Sequence, residues 1–212
     1  LNNEINWIIG CETSGVTREA FRKFGINCWS VDILPSDNNS KFHIQDDILK
    51  VLKMDFVKNV RGGIFHPPCT YLTNSANKWY KEQPKRKSGT LVGKERLQAR
   101  EEAVEFFMKL WNSNIYRIAI ENPIGIMNSR LFKPQVIQPY MFGHLETKAT
   151  CLWLKNLPKL IPTTDLKEQT LSLPEKERMK LHYLSKTDER WKLRSKTFQG
   201  IGDAFAEQWH NL

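Results

Sequence analysis

The chain has 212 residues, 40% of them hydrophobic and 26% charged, with a formal net charge of +9. These values are ordinary for a soluble globular protein and fit one domain spanning residues 1–212. No apolar stretch is long enough to span a bilayer, so no membrane association is expected. The start, Leu1-Asn2-Asn3-Glu4, has neither the basic nor the apolar part of a signal peptide, and without an initial Met a few native residues are expected ahead of it. Cys11, Cys28, Cys69 and Cys151 lie far apart with no CxxC pairing, which argues against a metal site or a disulfide scaffold and suits a reducing compartment.

In chain order, Ile5 to Gly10 reads as a short buried strand, bounded by the turn-prone Thr13-Ser14-Gly15. A helix follows, with Val16, Ala20, Phe21 and Phe24 apolar and Gly25 as its stop signal. Asn27 to Asp32 reads as a second strand ending in an acid. A short extended piece, His43-Ile44-Gln45, then leads to Asp46-Asp47 and an apolar helix, Ile48 to Met54. Gly63-Ile64-Phe65 is strand-like and runs into His66, two prolines and Cys69. The prolines fix φ and remove two donors, so the strand must stop and turn there.

A polar loop from Glu82 to Gly93 precedes a long amphipathic helix, Glu95 to Trp111, with Ala99, Ala103, Phe106, Phe107 and Leu110 at helical spacing. Arg117 to Pro123 is another apolar strand, ended by an acid and a proline. Val136 to Phe142 and Ala149 to Leu154 read as two closing strands, an antiparallel pair. A charged insertion, residues 163–194, shows no strong period. Gly200-Ile201-Gly202 reads as a turn into a final helix. Near-continuous apolar strands alternating with helices predict an α/β fold, a mostly parallel sheet with helices on both faces. Glu12, Asp32, Asp47, Cys69 and Glu121 all fall just after strands, at the carboxyl edge where such sheets bind ligands.

A cysteine presented on a stiff turn is a candidate nucleophile, although a lone cysteine is more often a small packed residue. The turn from Gly10 to Gly15 lies where Rossmann-like folds bind a cofactor, but it is not GxGxxG and is weak evidence alone. Asp32 is placed to accept hydrogen bonds from ribose hydroxyls, and Asp47 either accepts from an adenine amine or simply caps a helix. A glutamate ending a buried strand is costly unless paired or used. With a raised pKa, Glu121 would donate a proton to a ring nitrogen. His66 either polarises the site or packs. Two basic stretches lean towards a nucleic acid: Lys78 to Arg100, including Lys81, Lys85, Arg86, Lys87, Lys94 and Arg96, and Lys176 to Lys196, with Tyr183 and Trp191 interleaved. Lys85, Arg86 and Lys87 are the candidate contacts in the first; solvated faces account for both stretches equally well.

The ordered set of the Cys11-to-Gly15 turn, Asp32, Asp47, Pro67-Pro68-Cys69 and Glu121-Asn122-Pro123 resembles the DNA cytosine-5 methyltransferases. The string from His66 to Ser75, with Gln138-Pro139-Tyr140, Gly143-His144 and Lys148 to Lys155, is similar to small phage-type proteins of that kind. The resemblance covers most of the chain. It implies a Rossmann-like fold that binds S-adenosylmethionine through Cys11, Glu12, Gly15, Asp32, Asp47 and Pro67. It also implies catalysis by Cys69, Pro68, Glu121 and Asn122. Cys69 would add to carbon 6 of cytosine while Glu121 engages N3, and DNA, single-stranded or bound without sequence preference, would be the partner. The setting implied is the cytoplasm of a bacterium or a phage-infected cell.

The chain departs from the family pattern at Thr70, where the family has glutamine, at Pro123, where it has valine, and at Asp203, where it has asparagine. Lys148, a further candidate contact to nucleic acid, would stand in for a missing arginine-paired motif, and residues 163–194 would take the place of a target-recognition domain. The alternatives are modification of a pyrimidine in RNA or in a free nucleotide, and a non-catalytic nucleic-acid binding module on the same fold.

Overall fold

The computed structural model describes residues 5–185, 187 and 189–212. The opening Leu1-Asn2-Asn3-Glu4 lies outside the described residues, as do Lys186 and Asp188 of the insertion and the second basic stretch. The first half comprises β1 (Trp7–Gly10), α1 (Val16–Lys23), β2 (Cys28–Asp32), β3 (His43–Gln45), α2 (Ile48–Val51), β4 (Gly62–Phe65) and α3 (Gly93–Trp111). β5 (Arg117–Pro123), α4 (Met127–Arg130), β6 (Gln135–Ile137) and β7 (Thr150–Lys155) follow. Four short helices come next, α5 (Lys167–Ser172), α6 (Glu175–Arg178), α7 (Lys180–Tyr183) and α8 (Arg190–Ser195), before α9 (Gln199–Trp209).

The strands form one sheet in the order β3-β2-β1-β4-β5-β7-β6. The first five in that order pair in parallel, and β7 runs antiparallel to both β5 and β6. This is the expected Rossmann-like α/β sheet. Its strands are apolar on both faces because both faces are covered. Trp7 and Ile9 point to one side, where Phe21 of α1 and Phe205 and Trp209 of α9 meet them. Ile8 points to the other, with Val51 of α2 and Phe107 and Leu110 of α3. The same alternation runs through Ile64 and Phe65, Ala119 and Ile120, and Leu152 and Trp153, all buried. Each large side chain buried this way is worth about 1.5–3 kcal/mol, so the two apolar layers fix the register.

Several segments differ from the sequence reading. The strand expected over Val136 to Phe142 ends at Ile137, and Pro139, which has no donor for a ladder, starts a 3-10 turn through Met141. Gly200 and Gly202 lie inside α9 rather than in a turn before it. A Cβ on Gly200 would overlap the carbonyl oxygen of Phe142, so glycine is what lets the helix approach the chain so closely. α3 starts at Gly93, where a Glu82 carboxylate oxygen accepts from the Lys94 N–H at 3.1 Å. The insertion is broken into α5 to α8, each too short to be stable alone. Tethers hold it to the sheet: the Thr147 N–H donates to the Arg178 carbonyl at 2.7 Å, and Lys192 pairs with Asp37 at 2.9 Å.

Candidate active site

From β1 the chain moves outward to β2 and β3, then crosses to β4 and β5 on the opposite side. The connections therefore leave a crevice at the carboxyl ends of β1 and β4, the switch point at which open α/β sheets hold ligands. The His66 N–H donates to the Gly10 carbonyl at 2.9 Å, so the last ladder bond falls immediately before the prolines. Pro67 is buried, whereas Pro68 and Cys69 are exposed. From β5, the Asn122 Nδ2 donates to the Pro67 carbonyl at 2.8 Å and ties the turn to the neighbouring strand. The Cys69 carbonyl accepts from the N–H groups of Leu72 and Thr73, both at 3.0 Å, and Leu72 is buried.

The turn is also gripped from α3. Arg96 donates to the Thr70 carbonyl at 3.0 Å and Arg100 to the Tyr71 carbonyl at 3.3 Å. Arg96 is buried, so this member of the first basic stretch is a clamp on the cysteine turn and not part of a solvated face. Its sequence position inside a run of lysines and arginines hid that role.

Behind Cys69, the adjacency of β4 and β5 brings His66 and Glu121 together, Nδ1 to Oε2, at 2.9 Å, with side chains 11% and 15% exposed. Burial alone would neutralise both groups, but their mutual bond and opposite charges outweigh it. His66 is held above its ordinary 6.5 and Glu121 below its ordinary 4.5. Both shifts favour the charged forms, an imidazolium beside a carboxylate. The raised carboxyl expected from the strand-end position is therefore corrected: the sequence reading weighed burial and lacked the cation beside it.

Although Cys69 is exposed at the surface, the protein crowded around its turn desolvates the thiol and pushes it above 9.0; the Glu121 charge adds to this, while Lys148 and Arg194 pull it down. The Lys148 charge also favours the Glu121 carboxylate. The Lys148 Nζ donates to the Arg194 carbonyl at 2.9 Å, so the end of α8 is drawn over the site. Cys69, Glu121, His66, Lys148 and Arg194 thus share one electrostatic neighbourhood; Arg194 had no signal in the sequence beyond its charge. Replacing Lys148 with Met is expected to slow iodoacetamide alkylation of Cys69 about three- to tenfold at pH 8, because the thiol loses the cation that lowers it. Mass spectrometry of the alkylated peptide checks this cleanly, because Cys11 is half-buried and Cys28 and Cys151 are buried.

On the other side of the crevice, Gly15 takes φ 71° as it enters α1, and a Cβ there would strike the buried Arg18 guanidinium. Glycine has no side chain to cap the helix, and Glu12 does so instead, its Oε1 accepting from the Thr17 N–H at 3.1 Å and the Ser14 hydroxyl at 3.0 Å. The Glu12 Oε2 is buried with no partner among the described residues. Asp32 accepts from the Leu34 N–H at 2.9 Å, and burial raises its carboxyl. Asp47 is exposed and caps α2 through the Leu49 N–H at 2.8 Å, so one of its oxygens serves the helix. Cys11 sits at φ 59°; burial raises its thiol, and the charges of Asp32 and Asp47 raise it further, which places all three at the same edge. A cleft of about 290 Å³ opens beside this turn, between Val16, the α7–α8 residues Leu181 and Leu193, and Thr197 to Gln199. None of those residues carries a site signal in the sequence.

The first basic stretch lies beyond the cysteine turn. Lys85 pairs with Glu95 at 3.0 Å, Arg86 lies 4.3 Å over the Trp79 ring, and Lys87 is exposed. Asp203 is turned away from the crevice, accepting from the Gln199 side chain at 2.9 Å with Lys23 at 3.5 Å. Among the described residues, no group of three or more His, Cys, Asp or Glu could hold a metal ion. No helix in them is long and apolar enough to cross a membrane.

No family model and no curated protein sequence matches this chain. Among solved structures it is similar to a mutant of Spodoptera frugiperda DNMT2, at 16% identity and a TM-score of 0.42 over 74% of this chain. The match spans 53% of that protein, about half its length. At that score the likeness assigns neither a fold nor a reaction.

Proposed function

We propose that this protein transfers a methyl group from S-adenosylmethionine to carbon 5 of cytosine in DNA, through a covalent adduct of Cys69. The observation that carries the reading is the exposed Cys69 on a proline turn at the switch point, with Glu121 behind it and Lys148 acting on both. A thiolate suits addition to the electron-poor carbon 6 of a pyrimidine, and a carboxyl group facing the ring nitrogen stabilises the charge that addition creates. The base would have to leave its stack to reach a turn at a strand end, and a single strand meets that requirement at least cost.

The chain's own residues fit the cofactor. Its ammonium and ribose hydroxyls are hydrogen-bond donors, and the crevice offers acceptors for them: the orphaned buried Oε2 of Glu12, and the half-buried Asp32 carboxyl group, one oxygen of which also accepts from the Leu34 N–H. Gly15 and Cys11, both at positive φ, open the turn between these acids, and Asp47 keeps one oxygen uncommitted. When bound, S-adenosylmethionine supplies the electrophilic methyl group. Asn122 would hold Pro67 in place, and Pro68 would keep the cysteine turned outwards. Lys148 would favour the thiolate, with Lys85, Arg86 and Lys87 on the phosphates beyond the turn.

Incubation with labelled cofactor and, separately, duplex DNA, single-stranded DNA, RNA or cytidine triphosphate tests this, with mass spectrometry of the resulting nucleosides. Labelled 5-methyldeoxycytidine from either DNA is the expected product. Labelling of RNA or free nucleotide alone would move the substrate, and no labelling with unmeasurable cofactor binding would leave a nucleic-acid binding module.

A further inference from the structure

The proposed reaction needs a proton at N3 of the base, and Glu121, as an ionised partner of His66, has none of its own to give. Its Oε2 is taken by the His66 Nδ1–H, and its other oxygen has no hydrogen bond among the described residues. The far side of the imidazole is closed. The His66 Nε2 is buried with no partner among the described residues, so no hydrogen-bonded path for a proton leaves the ring there. The bonded route out of His66 runs through Nδ1 to the Glu121 carboxylate, and from Glu121 to whatever faces Cys69.

We propose that His66 is the acid of this site, passing its Nδ1 proton through Glu121 to N3 of the pyrimidine as the Cys69 sulfur adds to carbon 6. The inference rests on the pyrimidine reading above. As the S–C6 bond forms from the thiolate lone pair, the C5=C6 π pair moves to C4=C5. The C4=N3 π pair becomes the N3 lone pair, which takes the proton from the Glu121 carboxyl oxygen, while Glu121 takes the His66 proton. The net change is a neutral enamine at carbon 5, a carboxylate again at Glu121 and a neutral imidazole. Once carbon 5 carries the methyl group, its own proton passes to water, the C5–H pair forms the C5=C6 bond and the sulfur leaves carbon 6 as thiolate; N3 then returns its proton along the same path.

The charged groups around the relay agree with it. Glu12, from the β1 turn, and Glu121, from β5, favour the imidazolium, and Lys148, ahead of β7, opposes it. Lys148 favours the Glu121 carboxylate, while Lys148 and Arg194 favour the Cys69 thiolate that must coexist with that acid. The arrangement holds a protonated acid beside two cations that favour the thiolate, which a lone carboxyl group behind the thiol would not do.

Two measurements decide it. Nitrogen NMR of the ring of His66 in the full chain without ligand is expected to show an imidazolium at pH 7, titrating above a free histidine and falling below it in Glu121→Gln. The pH dependence of single-turnover transfer to the accepted oligonucleotide is then compared with that of His66→Gln, whose amide still donates to Glu121 but carries no transferable proton. Its rate is expected to fall about a hundredfold at pH 8 and much less at pH 5.5, as the alkaline limb moves down to the carboxyl group's own titration. A neutral His66 at pH 7 overturns the relay whether or not the variant folds, and so does an unshifted limb in active, folded His66→Gln. An imidazolium in a wild-type protein that transfers nothing to any pyrimidine overturns the methyl-transfer reading and takes the relay with it.

Discussion

Cys69→Ser is expected to lower methyl transfer by at least about a thousandfold, because an alcohol at neutral pH is a far poorer nucleophile towards carbon 6 than a thiol that two nearby cations help to ionise. Serine is nearly isosteric with cysteine, and the role of Cys69 in the turn is played by its backbone carbonyl, which serine retains. Stability should therefore change by less than about 0.5 kcal/mol. S-adenosylmethionine binding, which the reading assigns to the other side of the crevice, should be unaltered. Single-turnover transfer with labelled cofactor, denaturant unfolding and calorimetric titration measure the three quantities. Wild-type activity in the variant would rule out the covalent mechanism.

The second large effect is on stability. Removing one member of the His66–Glu121 pair, as in Glu121→Ala, is expected to cost about 1–3 kcal/mol, since it leaves a buried imidazole without its partner. Replacing both with apolar residues should cost much less. The pair also sets a pH window. His66 is raised on folding, so its contribution is fully present below 6.5 and is lost as pH rises through the folded value above that. Glu121 is lowered, so its contribution is present above 4.5 and is lost as pH falls through the folded value below that. Both contributions are complete between about pH 4.5 and 6.5, and the wild-type protein should lose stability on either side. Unfolding curves from pH 3.5 to 9 check this, and the double apolar variant should lack the pair's part of both slopes. A wild-type stability that rises steadily from pH 6 to 9, with no difference from the double variant, would show that the pair is not charged.

Much of this site was legible along the chain because its signals are local. Apolar runs such as Trp7-Ile8-Ile9 can only be strands covered on both faces, and two prolines before Cys69 force a turn whatever lies around them. Acids placed after strands follow from the same logic, since a charge at a strand end reaches the edge of the sheet. The strand boundaries around Pro139 were misjudged because an apolar run outweighed one missing donor. The glycines of α9 read as a turn because their purpose is a close approach to distant segments, Gly200 to Phe142 and Gly202 to Val16 and Thr17 of α1.

What the order of residues could not disclose was pairing. Whether His66 packs or carries charge depends on Glu121, and only the adjacency of β4 and β5 brings them to 2.9 Å. That one contact reverses the direction of the carboxyl group's shift, because a nearby opposite charge here outweighs burial. Arg96 is likewise one more cation in a basic run until α3 packs beside the cysteine turn and makes it a buried clamp. Backbone covalent chemistry set where the chain turns and which residues face the sheet's edge. The ionisation of those residues, and the hydrogen bonds that hold the nucleophile, depend on distances between segments far apart in sequence, and those exist only in the folded sheet.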